Sequence, residues 1–265
     1  MPAILRADEH VRLGLTPVFL DNDGAVLDRL RAALEHATGR PVELVQRRTY
    51  QEVTGLVLEG GVTAAWLCGY PYLQHEASLS LLGVPIWRGA PLYRSYLIVE
   101  ANDPATSLDD LKGSTHAFSD PDSNSGWLVT ASDLARRGLK PDGFFSRTLF
   151  TYGHRNVVRA VASGLARSGS VDGYVWEALT AVEPALTALT RVVSQSELLG
   201  FPPFVARRDL ASNDMVLGLQ RALLSLENTS DGKAALGMMQ LDRIAAAETD
   251  LFGGIRVRMA ELRPA

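Results

Sequence analysis

The sequence predicts an α/β fold of two lobes, on three observations. Short apolar runs bounded by Gly and Pro alternate with stretches of helical periodicity, the pattern of strand–helix units built on mostly parallel sheets. These units fall into two blocks of similar size. The blocks meet near residue 99 and again near residue 200, which implies two hinge crossings with a cleft between the lobes, a common place for a ligand. The expected division is residues 1–99 with 203–265 in the first lobe and 100–202 in the second.

In chain order, Val11 to Pro17 reads as a first strand ending in a turn. The next helix carries Leu27, Leu30 and Leu34 on one face and stops at Gly39, with Pro41 beyond. Val42–Val45 is a second strand. Thr49 and Glu52 have capping-box spacing, which places Tyr50 in the first turn of a helix. Ala64–Cys68 is a short buried strand broken at Gly69 and Pro71, and Tyr96–Val99 is another. Ser107–Asp110 caps a brief helix ended by Gly113. His116–Ser119 reads as a strand leading through Asp120 and Pro121 to a helix with Leu128, Ala131, Leu134 and Ala135 at helical spacing. Two more units follow: a strand near 148–151 with a helix from His154, and a strand near 171–175 with a helix from Trp176. Thr190–Val193 is a last strand before Phe201–Pro203, and the C-terminal stretch reads as helices with Leu217, Leu219, Leu223, Leu224, Met238, Met239 and Leu241 as apolar positions.

Composition excludes several classes. With 46% hydrophobic and 21% charged residues the chain is an ordinary globular one, and a net charge of −4 argues against a nucleic-acid partner. The single cysteine, Cys68, makes no internal disulfide. No run reaches the ~18–20 apolar residues that span a bilayer. Met1–His10 has neither the basic start nor the apolar stretch of a signal peptide, so the expectation is a cytoplasmic protein if Met1 is the native start. Scattered histidines and one cysteine give no zinc spacing, and neither a metal nor a cofactor is expected. No phosphate loop, dinucleotide fingerprint or nucleophile elbow occurs, so nothing argues for catalysis.

Three places could carry chemistry. Ser123, Asn124, Ser125 and Gly126 stand between a strand and a helix. Free backbone amides, hydroxyls and the helix dipole suit an anion there, and the same residues also suit a simple helix cap. His154 opens another helix, where it could donate to an oxyanion or be structural; His10, His36 and His75 lack that context. Asp172 closes a strand before Gly173. It is either a turn aspartate or the acceptor for a P–OH proton.

These stretches together resemble the phosphate/phosphite/phosphonate substrate-binding proteins of ABC transporters. The resemblance runs from about Val11 to about Ala206. Its matches include Leu13–Pro17, Thr49–Val53, Trp66–Tyr72, Tyr93–Ser95, Ser107–Gly113, Asp122–Gly126, Gly153–Val161, Val171–Gly173 and Phe201–Pro203. It implies the type II periplasmic-binding-protein fold and a non-enzymatic, monomeric protein. Such a protein captures a small oxyanion outside the cytoplasmic membrane and passes it to a permease. It also implies an anion cage of Tyr50, Tyr93, Ser123, Asn124, Ser125, His154 and Asp172. Asn124 stands where the family usually has threonine, and Thr63 where an aspartate is common. Some relatives hold arsenite through a cysteine, which gives Cys68 a second reading beside that of a small buried residue. A cytoplasmic ligand sensor, or an enzyme on the same fold as in thiamine and menaquinone pathways, are the alternatives.

Overall fold

A computed structural model describes residues 10–17 and 24–262. The first nine residues, whose lack of a signal-peptide pattern is noted above, lie outside the described residues. The chain opens with β1 (Val11–Leu15), α1 (Gly24–Thr38) and β2 (Val42–Gln46). α1 buries Val26, Leu30, Ala33 and Leu34, the stripe of a helix lying on a sheet, and Gly39 ends it at φ 65°, in the left-handed region. Thr49 starts α2 (Tyr50–Leu58) with both halves of the capping box: the Glu52 amide donates to Thr49 Oγ1, and the Thr49 amide donates to the Glu52 carboxylate. β3 (Ala64–Trp66), α3 (Gly69–Gln74) and β4 (Leu79–Ile86) follow.

The chain then crosses through β5 (Leu92–Tyr93) into β6 (Ser95–Glu100) and β7 (Thr115–Phe118). A π-helical turn, Asn124–Leu128, runs into α4 (Val129–Ala135), followed by α5 (Pro141–Phe144) and β8 (Arg147–Phe150). Next come α6 (His154–Ala162), β9 (Ser168–Asp172), α7 (Gly173–Val182), α8 (Pro184–Thr187) and β10 (Thr190–Gln195). The chain returns through β11 (Leu199–Gly200), which pairs antiparallel with β5, so the two crossings are hydrogen-bonded to each other. β12 (Phe204–Arg207), α9 (Asp214–Leu224), α10 (Ser230–Met238), β13 (Arg243–Ala245) and α11 (Gly253–Glu261) complete it.

Two sheets result, one per lobe. The first has the order β13-β4-β12-β3-β1-β2 and the second β10-β6-β9-β7-β8. The last helices rejoin the first lobe, where α9 and α10 pack on α1. One large apolar core runs through both lobes, with a smaller cluster around Leu97, Phe118, Leu134, Phe144 and Phe145 in the second.

The sheets are mixed rather than mostly parallel. β1 runs parallel to β2 and β3, and β7 runs parallel to β8 and β9. β6 and β12 run against their neighbours, because each starts where its partner ends: Ser95 faces Asp172, and Phe204 faces Trp66. A strand that enters a lobe from the cleft must run away from it. β6 also pairs entirely within the second sheet, so the first crossing lies at Leu92–Tyr93, earlier than the expected residue 99. The strand expected over 171–175 ends at Asp172, whose side chain caps α7. β13 interrupts a segment expected to be all helix; only Ile244 of its three residues is buried, too little to show periodicity.

Candidate functional site

The cleft ends of β7 and β9 in the second lobe face the start of α2 in the first. Ser123 is the cap of the π-helical turn, with Oγ accepting from the Gly126 amide at 3.0 Å. That geometry requires glycine: a Cβ on Gly126 would lie 1.8 Å from Ser119 Oγ. With Ser123 engaged as the cap, Ser125 Oγ is left buried without a hydrogen bond, although the Asp172 carboxyl and Tyr93 hydroxyl are neighbours. Ser119 Oγ and Asn124 Oδ1 are also buried and unpartnered. Buried polar atoms are ordinarily satisfied, so three such atoms within residues 119–125 mark a stretch with hydrogen-bonding capacity to spare.

His154 opens α6 after Tyr152, which sits at φ 53°, and its ring is 1% exposed. Nδ1 accepts from the Asp172 amide at 3.1 Å, which assigns the proton of the neutral ring to Nε2. Burial pushes this histidine down to about 3, so it is neutral at physiological pH. Nε2–H therefore points at Tyr50 Oη, 3.2 Å away across the cleft.

Asp172 is 2% exposed, and burial pushes its carboxyl up to about 7 against the opposing pull of the Val175 and Tyr174 amides. Tyr50 and Tyr93 are fully buried and held well above the usual phenol range by desolvation, so both remain hydroxyls. Asn124 joins the lobes twice: its amide donates to Cys68 Sγ at 3.3 Å and its Nδ2 to Tyr93 Oη at 2.8 Å. Burial pushes the Cys68 thiol up to about 12, which keeps it protonated.

All eight residues singled out in the sequence are buried at this junction of the lobes. Thr63 does not join them; its Oγ1 accepts from the Arg12 amide in the first sheet. Two residues of the junction escaped sequence reasoning. Asp120, 2% exposed, accepts from the Tyr50 amide at 3.1 Å and the Asp122 amide at 2.8 Å, tying the loop before the π-helical turn to the free start of α2. Ser95 Oγ donates to Ser125 O at 2.6 Å and holds the turn from the side of the crossing. The signal for Asp120 was its place in an Asp-Pro-Asp turn ahead of a helix, which does not say where a carboxylate points.

The arrangement offers hydroxyl donors, a neutral imidazole N–H and a helix start, together with a carboxyl that takes or gives a proton near neutral pH. Such a set is chemically suited to a small oxyanion that still carries a proton. Among the described residues no group of three or more His, Cys, Asp or Glu is placed to hold a metal ion.

A family model described as "ABC transporter, phosphonate, periplasmic substrate-binding protein" matches residues 13–252. The phosphate-import protein PhnD of Mycolicibacterium smegmatis is 30% identical over 174 residues, covering 61% of this chain and 54% of that protein. The chain thus spans about half the length of this curated relative. Among solved structures, the binding-protein component of an ABC phosphonate transporter from Pseudomonas aeruginosa superposes with a TM-score of 0.86 at 22% identity, covering 95% of this chain and 85% of that one. PhnD1 from Prochlorococcus marinus, in complex with methylphosphonate, gives 0.82 at 19% identity, covering 96% and 98%. At those identities the two structures speak to the fold.

Proposed function

This chain belongs to the family of phosphonate periplasmic substrate-binding proteins of ABC transporters, and from that premise we propose that it captures a small phosphonate-, phosphite- or phosphate-type oxyanion for a transporter permease. Ser125 Oγ carries the reading: a buried hydroxyl at a helix start without a well-formed hydrogen bond, set against the Asp172 carboxyl and the Tyr93 hydroxyl and beside a histidine kept neutral. In this reading Tyr50, Tyr93, Ser125 and His154 donate to the anion, Asp172 accepts its P–OH proton, and Ser123 and Asn124 shape the turn. One lobe comprises the described residues up to 93 and from 200 onward, the other residues 95–196, and β5 with β11 is the hinge. The protein works in the periplasm as a monomer, by binding alone, and closure is driven by contacts made from both lobes. Cys68 serves the interlobe contact with Asn124 rather than as a thiolate for arsenite, since its thiol is pushed up to about 12.

A thermal-shift panel of phosphate, phosphite, methylphosphonate, aminoethylphosphonate, sulfate and arsenite tests the ligand class. At 100-fold excess over Kd the expected stabilisation is about 2.7 kcal/mol. No shift with any phosphorus oxyanion would overturn the reading. By calorimetry Ser125→Ala and His154→Ala are each expected to weaken binding at least tenfold, about 1.4 kcal/mol. Unchanged affinity in both would remove the site assignment.

A further inference from the structure

α11 lies behind the hinge and touches both lobes. On the first-lobe side Ile255, fully buried, packs so closely on α3 that a Cβ on Gly69 would meet its Cδ1 at 2.6 Å. On the crossing, a Cβ on Gly254 would lie 3.0 Å from Leu199 of β11. One turn further on, Arg258 is 2% exposed, unusual burial for a guanidinium. Its Nε and Nη2 donate to the two carboxylate oxygens of Glu197, two residues before β11. Its Nη1 donates to Val129 O, Ser132 Oγ and Asp133 Oδ1, at 3.0, 2.7 and 2.8 Å, all on α4. Arg136, the C-cap of α4, adds a bond to Glu261 at the end of α11.

α4 is the continuation of the π-helical turn that Ser123 caps, so its far end leads to the proposed anion cage. A buried charge is tolerable only while its acceptors stay in place. Rotation of the second lobe about β5 and β11 moves α4 relative to α3, and α11 packs on both. Parting the lobes therefore either breaks the bonds of Arg258 to α4 or lifts Ile255 from Gly69.

We propose that Arg258 is a positioning residue for ligand capture: it ties α4 and the second crossing to α11, which also packs on α3 of the first lobe, and so sets how readily the lobes part. The proposal rests on the bilobal closing described under the proposed function. A guanidinium that merely pinned the C-terminal helix would need no acceptors from both the hinge and the ligand helix.

Spin labels at Glu59→Cys in the first lobe and Arg147→Cys in the second, both exposed positions, report the interlobe distance, while native Cys68 is buried. Arg258→Met is expected to shift the ligand-free distance distribution to longer separation. Saturating phosphite or phosphate restores the short one, with Kd about tenfold weaker and the change mainly in dissociation rate. Arg258→Lys, which keeps the charge but loses the two-pronged contact, falls between. Glu197→Gln and Asp133→Asn shift the distribution the same way by less, and they decide the matter if Arg258→Met fails to fold. Variants that lower Tm but keep the parent's distances and Kd overturn the proposal, as does a ligand-free parent already at the long separation. The ligand-free comparison stands even if neither anion binds, so a wrong ligand class is read separately.

Discussion

Asp172→Asn should make the ligand-free protein more stable and its binding weaker. The side chain caps α7, with Oδ1 accepting from the Val175 amide at 3.3 Å, and asparagine supplies the same acceptor in the same shape. What the substitution removes is a proton equilibrium. Burial raises the carboxyl from its ordinary 3.8 to about 7, so the folded chain holds a proton that the unfolded chain releases over that range. The contribution is present in full below pH 3.8 and is lost as pH rises through 7. At about 1.4 kcal/mol per pH unit, the advantage of the variant over its parent grows from about 2 kcal/mol at pH 5 to about 4 kcal/mol at pH 8. Urea denaturation of both proteins at pH 5, 6, 7 and 8 without ligand measures it. Calorimetry on the same samples should give at least tenfold weaker binding of phosphite or methylphosphonate, because an amide does not take up a proton. A stability difference that is absent or flat with pH refutes the burial argument, and unchanged affinity refutes the role in binding.

Gly126→Ala drives a Cβ to 1.8 Å from Ser119 Oγ and 2.8 Å from Ser119 Cβ, so the end of β7 and the helix start must separate. Urea denaturation should show a loss of ~1–3 kcal/mol with binding at least tenfold weaker. Thr49→Ala removes the acceptor for the Glu52 amide at the start of α2 and is expected to cost about 1 kcal/mol, read from the same denaturation curves. His116 is fully buried between Ser168 Oγ at 2.7 Å and Ser170 Oγ at 2.9 Å, and burial pushes it from 6.5 down to about 3. A depressed pKa gives stability present above pH 6.5 and lost as pH falls toward 3; His116→Asn should therefore lose about 2 kcal/mol less than the parent between pH 7 and pH 5 in denaturant titrations.

The parts of the fold legible in the sequence are those set by local chemistry. The Thr49–Glu52 capping box, the apolar stripe of α1 and the stop at Gly39 each depend on residues within a few positions of one another. Strand partners do not: β12 finds β3 and β4 across more than a hundred residues, and nothing in Phe204–Arg207 announces its direction. The helix start at Ser123 allowed two readings in the sequence, cap or anion site, and the structure shows the cap. Ser123 Oγ accepts from the Gly126 amide, while Ser125 Oγ lies against the Asp172 carboxyl and the Tyr93 hydroxyl. Asp120 and Arg258 were illegible because each gains its meaning from residues far off in the chain, through the Tyr50 amide in one case and Glu197 with Asp133 in the other.

The charges around the proposed cage bear on how it would discriminate. Among the described residues, no hydrogen bond to the cage side chains comes from Lys or Arg, and His154 is held neutral. Asp120 and Asp172 stand close by, and the chain as a whole carries −4. Such surroundings neither steer anions in from a distance nor welcome a second negative charge once inside. A bound oxyanion is then stabilised by helix amides, hydroxyls and one imidazole N–H, all of which act strongly only when water is excluded. A proton on the ligand relieves both problems at once: it lowers the charge, and it gives Asp172 a donor. Asn124 works in the same direction. It uses its Nδ2 on Tyr93 and turns no donor but an acceptor, Oδ1, to its buried unpartnered side. On the proposed function, selection for protonated phosphorus oxyanions over sulfate would follow from unpaired acceptors, and affinity from how tightly the lobes seal.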